Sequence, residues 1–267
     1  MREEDFIARL VGHKNVMFVS SGDATIFLAL VVAKQKGKTT LIVPDQGGWL
    51  SYKSFPKLLD LKITEVSTDC GVIQLADLER KADNGSVLIF PSLGGYAAEQ
   101  PLDNIYRICN SAGCLVVLDA SPTIGNKQLC NGEFADIVVG SFGKWKSADH
   151  GYGGFITFKE KAVVDNRFLR ILRFDEERRA GLMEKLDQSA ERFETLVGAC
   201  EHVKKELAEF DIIHRNSGGL VVLVRFKDDA EKENIIGYCK KHKYEYTLCP
   251  RYIRVLDQAI CIEVKRR

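Results

Sequence analysis

Cys114-Leu115-Val116-Val117-Leu118-Asp119 is an unbroken apolar run that ends on a carboxylate. A strand with one wet face alternates polar and apolar residues, whereas an inner strand of a parallel sheet is buried on both faces and does not. Six further short runs flank it: Val16–Val19, Thr40–Val43, Ile63–Val66, Val87–Phe90, Ile137–Val139 and Gly154–Phe158. The spacers carry apolar residues at helical intervals, such as Ile26, Leu30 and Ala33, or Leu102, Ile105, Ile108 and Cys109. Strand and helix in alternation predict an α/β fold with a mainly parallel seven-stranded sheet covered by helices. Sites in such sheets lie beyond the carboxyl ends of the strands.

After Phe158 the pattern changes. Lys161 to Phe210 reads as a long charged helical region, with Asp175-Glu176-Glu177-Arg178-Arg179 as a solvated face. Gly219–Phe226 then reads as a strand, Ala230–His242 as a helix, and Ile253–Leu256 and Ile260–Val264 as closing strands. The expected division is a large domain over residues 1–160 and a small C-terminal α/β domain over 161–267 that includes the linking helix.

Composition narrows the partners. The 267 residues are 45% hydrophobic, enough for a substantial core, and 38 Lys+Arg against 37 Asp+Glu give a formal charge of +1. Neither nucleic acid nor an anionic membrane is therefore an expected partner. No apolar run approaches the ~20 residues of a membrane span, and the start Met1-Arg2-Glu3-Glu4-Asp5 is unlike a secretory signal, so a cytoplasmic protein is expected. The eight cysteines form no Cys-x-x-Cys pair and read as reduced, mostly buried thiols, with no metal centre.

Four strand ends carry candidate chemistry. Val19-Ser20-Ser21-Gly22-Asp23-Ala24-Thr25 is a strand that turns into a helix, whose free N–H groups suit a phosphate; a plain Ser-capped helix is the commoner reading of these letters. Asp119 stands where a carboxylate can pair with a protonated ring nitrogen, or merely open the turn Ala120-Ser121-Pro122. Ser141-Phe142-Gly143-Lys144-Trp145-Lys146 follows a strand and brings a lysine where it can form a Schiff base, although most lysines are simply exposed. Gly151-Tyr152-Gly153-Gly154 permits close backbone approach or a turn.

Taken in order, these pieces resemble the sugar-aminotransferase-like (DegT/StrS) family of fold-type-I pyridoxal-phosphate (PLP) enzymes. The likeness rests on Ser21-Gly22-Asp23-Ala24, Asp119, Ser141-Phe142-x-x-x-Lys146 and Gly151-x-Gly153-Gly154, and covers residues 16 to 158. The family lysine lies five residues after the serine and five before the first glycine; Lys146 fits both intervals and Lys144 fits neither. The resemblance implies PLP as cofactor, Lys146 as its anchor and Asp119 at the ring nitrogen. It also implies Ser21, Gly22, Asp23, Ala24 and Ser141 at the phosphate, Trp49 on the ring, and a homodimer with a shared active site. Three positions depart from the pattern: Pro122 replaces a Gln or His, Asp23 replaces a threonine, and Gly48 holds the stacking position, with Trp49 one residue late.

The expected function is a PLP-dependent aminotransferase acting on a small amine and keto substrate, a sugar or an amino-acid-type compound. Arg254, in Arg251-Tyr252-Ile253-Arg254-Val255, is the candidate for a substrate carboxylate, against an ordinary strand arginine. A PLP lyase or cysteine desulfurase is an alternative, with Cys249 as the thiol to test. A degenerate family member acting as a binding or regulatory protein is another. A nucleotide-binding protein is set aside, since neither Gly-x-Gly-x-x-Gly after a strand nor Gly-x-x-x-x-Gly-Lys-Ser/Thr occurs.

Overall fold

The computed structural model describes residues 2–162, 164 and 166–266; Met1 of the polar start and Val163 and Asp165 of the charged region lie outside the described residues. All seven expected strands form. They are β1 (Asn15–Val19), β2 (Thr40–Pro44), β3 (Lys62–Val66), β4 (Ser86–Pro91), β5 (Leu115–Asp119), β6 (Ile137–Ser141) and β7 (Gly154–Phe158), in the order β1-β7-β6-β5-β4-β2-β3. Pairings are parallel except for β7, which runs antiparallel to both β1 and β6. Two reversals cancel, so β1 points the same way as β5 and β6, and their carboxyl ends share one edge.

Successive residues of the inner strands serve opposite faces. Val116, Leu118 and Val138 join one apolar cluster, and Leu115, Val117 and Val139 the other. Helix α1 (Glu3–Val11) precedes β1, and α2 (Gly22–Gln35), α3 (Leu50–Ser54), α4 (Leu75–Lys81) and α5 (Leu102–Ser111) follow strands, with Ile26, Leu30 and Ala33 of α2 covering one face and Ile105 and Cys109 of α5 the other. This double cover is what permits β5 to dispense with alternation.

The charged region is broken into α6 (Asn166–Leu172), α7 (Leu182–Asp187) and α8 (Ser189–Glu206), instead of one long helix. Asp175 caps a 3-10 turn, and Gly181 sits at φ 80° in the left-handed region, where an α-helix cannot continue. The expected solvated face is also not wholly solvated: Arg179 pairs with Glu3, Glu4 and Glu176, tying this segment to α1.

A second, antiparallel sheet follows, made of β8 (Asp211–Ile212), β9 (Val222–Arg225), β10 (Tyr246–Leu248) and β11 (Ala259–Ile262) in the order β8-β9-β11-β10. Cys200 and Val203 of α8 and Ile235, Ile236 and Cys239 of α9 (Asp229–Lys241) pack on it as a third apolar cluster. One expected strand is absent: Ile253–Leu256 is a turn, closed by Arg254 N–H to Arg251 O (2.9 Å) and Arg251 N–H to Val255 O (2.8 Å). Its apolar alternation serves burial of Val255, and the strand pairing falls instead to β10. No helix among the described residues is long and apolar enough to cross a membrane.

Candidate active site

Where β1, β5 and β6 end, a cavity of about 390 Å³ opens, lined among others by Ser21, Gly22, Asp23, Trp49, Asp119, Ser141 and Lys146. Every predicted site residue except Ala24 lines it, Arg254 included. Ala24 is buried beneath, and its N–H donates to Ser21 Oγ at 3.1 Å.

The cavity floor is the start of α2. Ser21 is its N-cap, a contact worth about 1 kcal/mol, and the N–H groups of the first turn have no acceptor within the helix. Ser141 stands opposite, its Oγ accepting from Gly143 N–H at 3.1 Å. The two walls touch so closely that a Cβ on Gly22 would lie 2.6 Å from Ser141 Cβ. A side chain there would fill the cradle, so the glycine keeps it open. Asp23 directs its carboxylate away from this floor, accepting Trp49 Nε1–H at 2.8 Å and the hydroxyl of Ser51. Two departures from the family pattern thus answer each other: the acid that replaces threonine fixes the tryptophan that arrives one residue late.

Asp119 is 6% exposed and held on both oxygens. Tyr52 Oη donates to Oδ2 at 2.7 Å, and Ser121 N–H to Oδ1 at 2.9 Å. Burial and the neighbouring Asp119 carboxylate raise the Tyr52 phenol well above its ordinary range, so it stays a donor.

The two lysines of the motif part company. Lys144 is exposed; Lys146 is 9% exposed, and its Nζ donates to the hydroxyl of Tyr96. Its Nζ also lies 5.4 Å from the centroid of the Trp49 ring and 4.8 Å from that of Tyr96. Tyr96 at φ 67° and Trp145 at φ 62° are non-glycine residues in the left-handed region, a local strain that frames the lysine. Pro122 also lines the cavity, and its carbonyl accepts from Ser147 Oγ at 3.2 Å.

The far wall comes from the second sheet. Arg254 is 2% exposed and forms a forked ion pair with Glu263: Nε and Nη2 reach Oε1 at 3.2 and 2.9 Å, and Nη2 reaches Oε2 at 2.8 Å. Its Nη1 donates to Ile253 O at 2.8 Å. Burial alone would raise the Glu263 carboxyl; the Arg254 guanidinium outweighs it and holds the group below its ordinary value. Lys265 and Arg266 of the 3-10 turn Val264–Arg266 complete the wall.

Sequence reasoning missed Tyr52, Tyr96, Glu263, Lys265 and Arg266. Tyr52 was within reach, three residues after Trp49 and on the short helix that Trp49 precedes. Tyr96 follows two glycines in a loop, and Lys265 and Arg266 look like ordinary surface charges, so no local pattern marks them.

A mainly parallel seven-stranded sheet with one reversed strand, its site at the shared carboxyl edge and a small antiparallel unit behind, is the fold of fold-type-I PLP enzymes. Residues 2–175 match the DegT/DnrJ/EryC1/StrS aminotransferase family, and the chain belongs to that family. Residues 190–266 match the MJ1341 family C-terminal domain. No curated protein matches the sequence.

Among solved structures, DndA from Streptomyces lividans is similar at TM-score 0.76 and 10% identity, over 97% of this chain and 86% of that one. Spr1654 from Streptococcus pneumoniae, described as a sugar aminotransferase in its PLP form, gives 0.74 at 12% identity, over 98% and 85%. A cysteine desulfurase from Thermococcus onnurineus NA1 gives 0.67 at 13% identity, over 99% and 78%. At these identities the likeness is one of fold.

Proposed function

We propose that the chain is a PLP-dependent aminotransferase that moves an amino group between a small amine and a keto compound, with Lys146 as the cofactor's anchor. The observation that carries this is the meeting, in one cavity, of a buried lysine, a carboxylate fixed on both oxygens and an open helix N-terminus. The donor set fits the group. The first-turn N–H groups of α2 and the Ser141 hydroxyl suit its phosphate, Asp119 suits its ring nitrogen, and the Trp49 indole suits its ring face. When bound, PLP supplies an aldehyde carbon and an electron-accepting ring.

The rest is the work of this chain. Lys146 Nζ is the base placed to carry a proton across the reacting carbon, and Tyr96 holds that amine in position. Asp119, fixed in place by Tyr52 and Ser121, is the group that would hold a proton on the ring atom it faces. The indole of Trp49 keeps water off the site and Asp23 off its anionic end. A homodimer with a shared site and a cytoplasmic location accompany this reading.

The desulfurase alternative is weaker, because all eight cysteines are buried. Cys249 is 7% exposed and does not line the cavity, and burial raises its thiol, which opposes thiolate chemistry. Lys146 and Asp119, both in place in the cavity, oppose a binding protein without turnover.

The test is absorption of the purified protein with PLP, before and after borohydride, with mapping of the labelled peptide. A violet band that borohydride removes, with label on Lys146, is expected, and Lys144→Ala should leave both unchanged. Lys146→Ala should lose the label and slow the amino-transfer half-reaction about 10²–10⁴-fold, the scale of a positioned general base. A label that survives Lys146→Ala would overturn the assignment.

A further inference from the structure

Away from the cavity, the large domain and the second sheet meet at three unlike donors. Asp69 and Cys70 lie in a hairpin of Thr68–Asp69 and Val72–Ile73, and His214 follows β8. A carboxylate oxygen of Asp69, Cys70 Sγ and a ring nitrogen of His214 all lie within 4.8 Å of one another. Among the described residues, no other His, Cys, Asp and Glu side chains group in this way. Asp69 and His214 are 145 positions apart, so no spacing in the sequence marks them.

The hairpin holds its thiol in a strained place. Cys70 at φ 45° and Gly71 at φ 97° form its two-residue turn, a geometry that favours Asn, Asp or Gly at the first position. Cys70 stands there nonetheless, 6% exposed. The turn cannot swing away: a Cβ on Gly71 would lie 3.0 Å from Gly94 C, and Gln100 Nε2–H donates to Gly71 O at 2.7 Å. His214 is also left-handed, at φ 51°, and its Nε2–H donates to Asp69 O at 2.9 Å. A carbonyl only accepts, so the lone pair of the ring is on Nδ1.

We propose that Asp69, Cys70 and His214 bind a zinc ion that ties the hairpin of the large domain to the second sheet. The inference stands apart from the aminotransferase reading. The donor set selects the ion: magnesium and calcium take oxygen ligands, whereas a thiolate, an imidazole and one carboxylate suit zinc, with water in the fourth position. Zinc bonds of about 2.0–2.3 Å set ligand atoms about 3.3–3.8 Å apart, so side-chain rotations of about 1 Å complete the site.

The charges balance. The thiol enters as thiolate, its proton leaving to solvent, and with the Asp69 carboxylate it offsets the two charges of the ion. Arg225 and Asp257 stand behind the sulfur as a pair of their own. Arg225 Nε donates to Asp257 Oδ1 at 2.8 Å and its Nη2 reaches Sγ at 3.1 Å, while Asp257 Oδ2 is 3.5 Å from Sγ. Partners of this kind orient a metal ligand. Asp69 is exposed and His214 half-buried, which leaves an ion a way in.

Cobalt(II) is the probe, titrated into the full chain after chelator treatment and under a thiol-free reductant. A single equivalent should give the visible bands of tetrahedral cobalt and a near-ultraviolet thiolate-to-cobalt band, and zinc should displace both. Cys70→Ser should lose the near-ultraviolet band, whereas Cys249→Ser, at a buried cysteine elsewhere, should keep it. His214→Gln and Asp69→Asn should each weaken cobalt at least about 10-fold, since even the partners behind a metal ligand carry that much. Zinc should raise the melting temperature of wild type and not that of Cys70→Ser.

No saturable cobalt band, a near-ultraviolet band that survives Cys70→Ser, or equal cobalt affinity in His214→Gln would overturn the proposal. Equal melting of zinc-loaded and chelator-treated wild type would show that no ion joins the hairpin to the second sheet, and would overturn the tie.

Discussion

The two walls of the cavity satisfy their charges in different ways. On the sheet side, Asp119 and Asp23 face the cavity and are held by neutral donors: Tyr52, Ser121, Trp49 and Ser51. On the far side, charge meets charge, with Arg254 locked to Glu263 and Lys265 left over. On the reading proposed above, the first wall would hold Asp119 for a cationic ring atom; the second carries a surplus of positive charge. Where the unspent charge lies tells the two walls apart.

The sharpest way to break that contrast is Glu263→Gln. Both partners are nearly water-free, with side chains 3% and 1% exposed, so removal of one leaves the other unpaired in the interior. A loss of about 3–5 kcal/mol of unfolding free energy is expected by urea titration. A loss below about 1 kcal/mol would put the pair in the class of surface bridges and remove the reason to treat Arg254 as occupied.

The sheet wall is broken next by Gly22→Ala. The new methyl would lie 2.6 Å from Ser141 Cβ and 2.8 Å from its Oγ, so α2 or Ser141 must shift. A cost of about 1–3 kcal/mol is expected from overpacking. Retention of PLP through gel filtration should fall with it, while the Arg254–Glu263 pair on the other wall should leave the remaining stability unchanged.

The same contrast explains what could be read from the letters. The sheet wall sits on strands buried on both faces, and such strands announce themselves as apolar runs ended by Asp119 or Ser141. The inner strands follow from that, whereas the choice of Lys146 over Lys144 rests on the intervals of the family resemblance and not on burial. The far wall sits on turns. Ile253 and Val255 imitate a strand because a turn that buries one side also alternates, and Lys265 is buried only because Leu220 anchors its turn. Which charge faces the cavity is decided by packing between residues far apart in the chain, and Glu263 pairs with Arg254 across a turn that spacing does not predict. Tyr96 is hidden for the same reason, since its position depends on a left-handed residue after two glycines.

The last test is the most specific to the second wall. Burial and the charges of Arg254 and Lys146 depress the Lys265 ammonium from 10.5 to about 7. Between those two values the unfolded chain holds a proton that the folded chain does not, so folding releases it and stability rises with pH across the window. Above the unfolded value the group is neutral in both states and costs nothing. As pH falls through the folded value, the full penalty of charging it is in place. Tyrosines and cysteines titrate in the same range, so the measurement is the difference between wild type and Lys265→Gln in unfolding free energy at intervals from pH 6 to 10. Wild type should be the less stable at low pH and close the gap as pH rises. A constant difference would mean that the ammonium is paired in solution by a group that moves to meet it, and the positive surplus of the second wall would be gone.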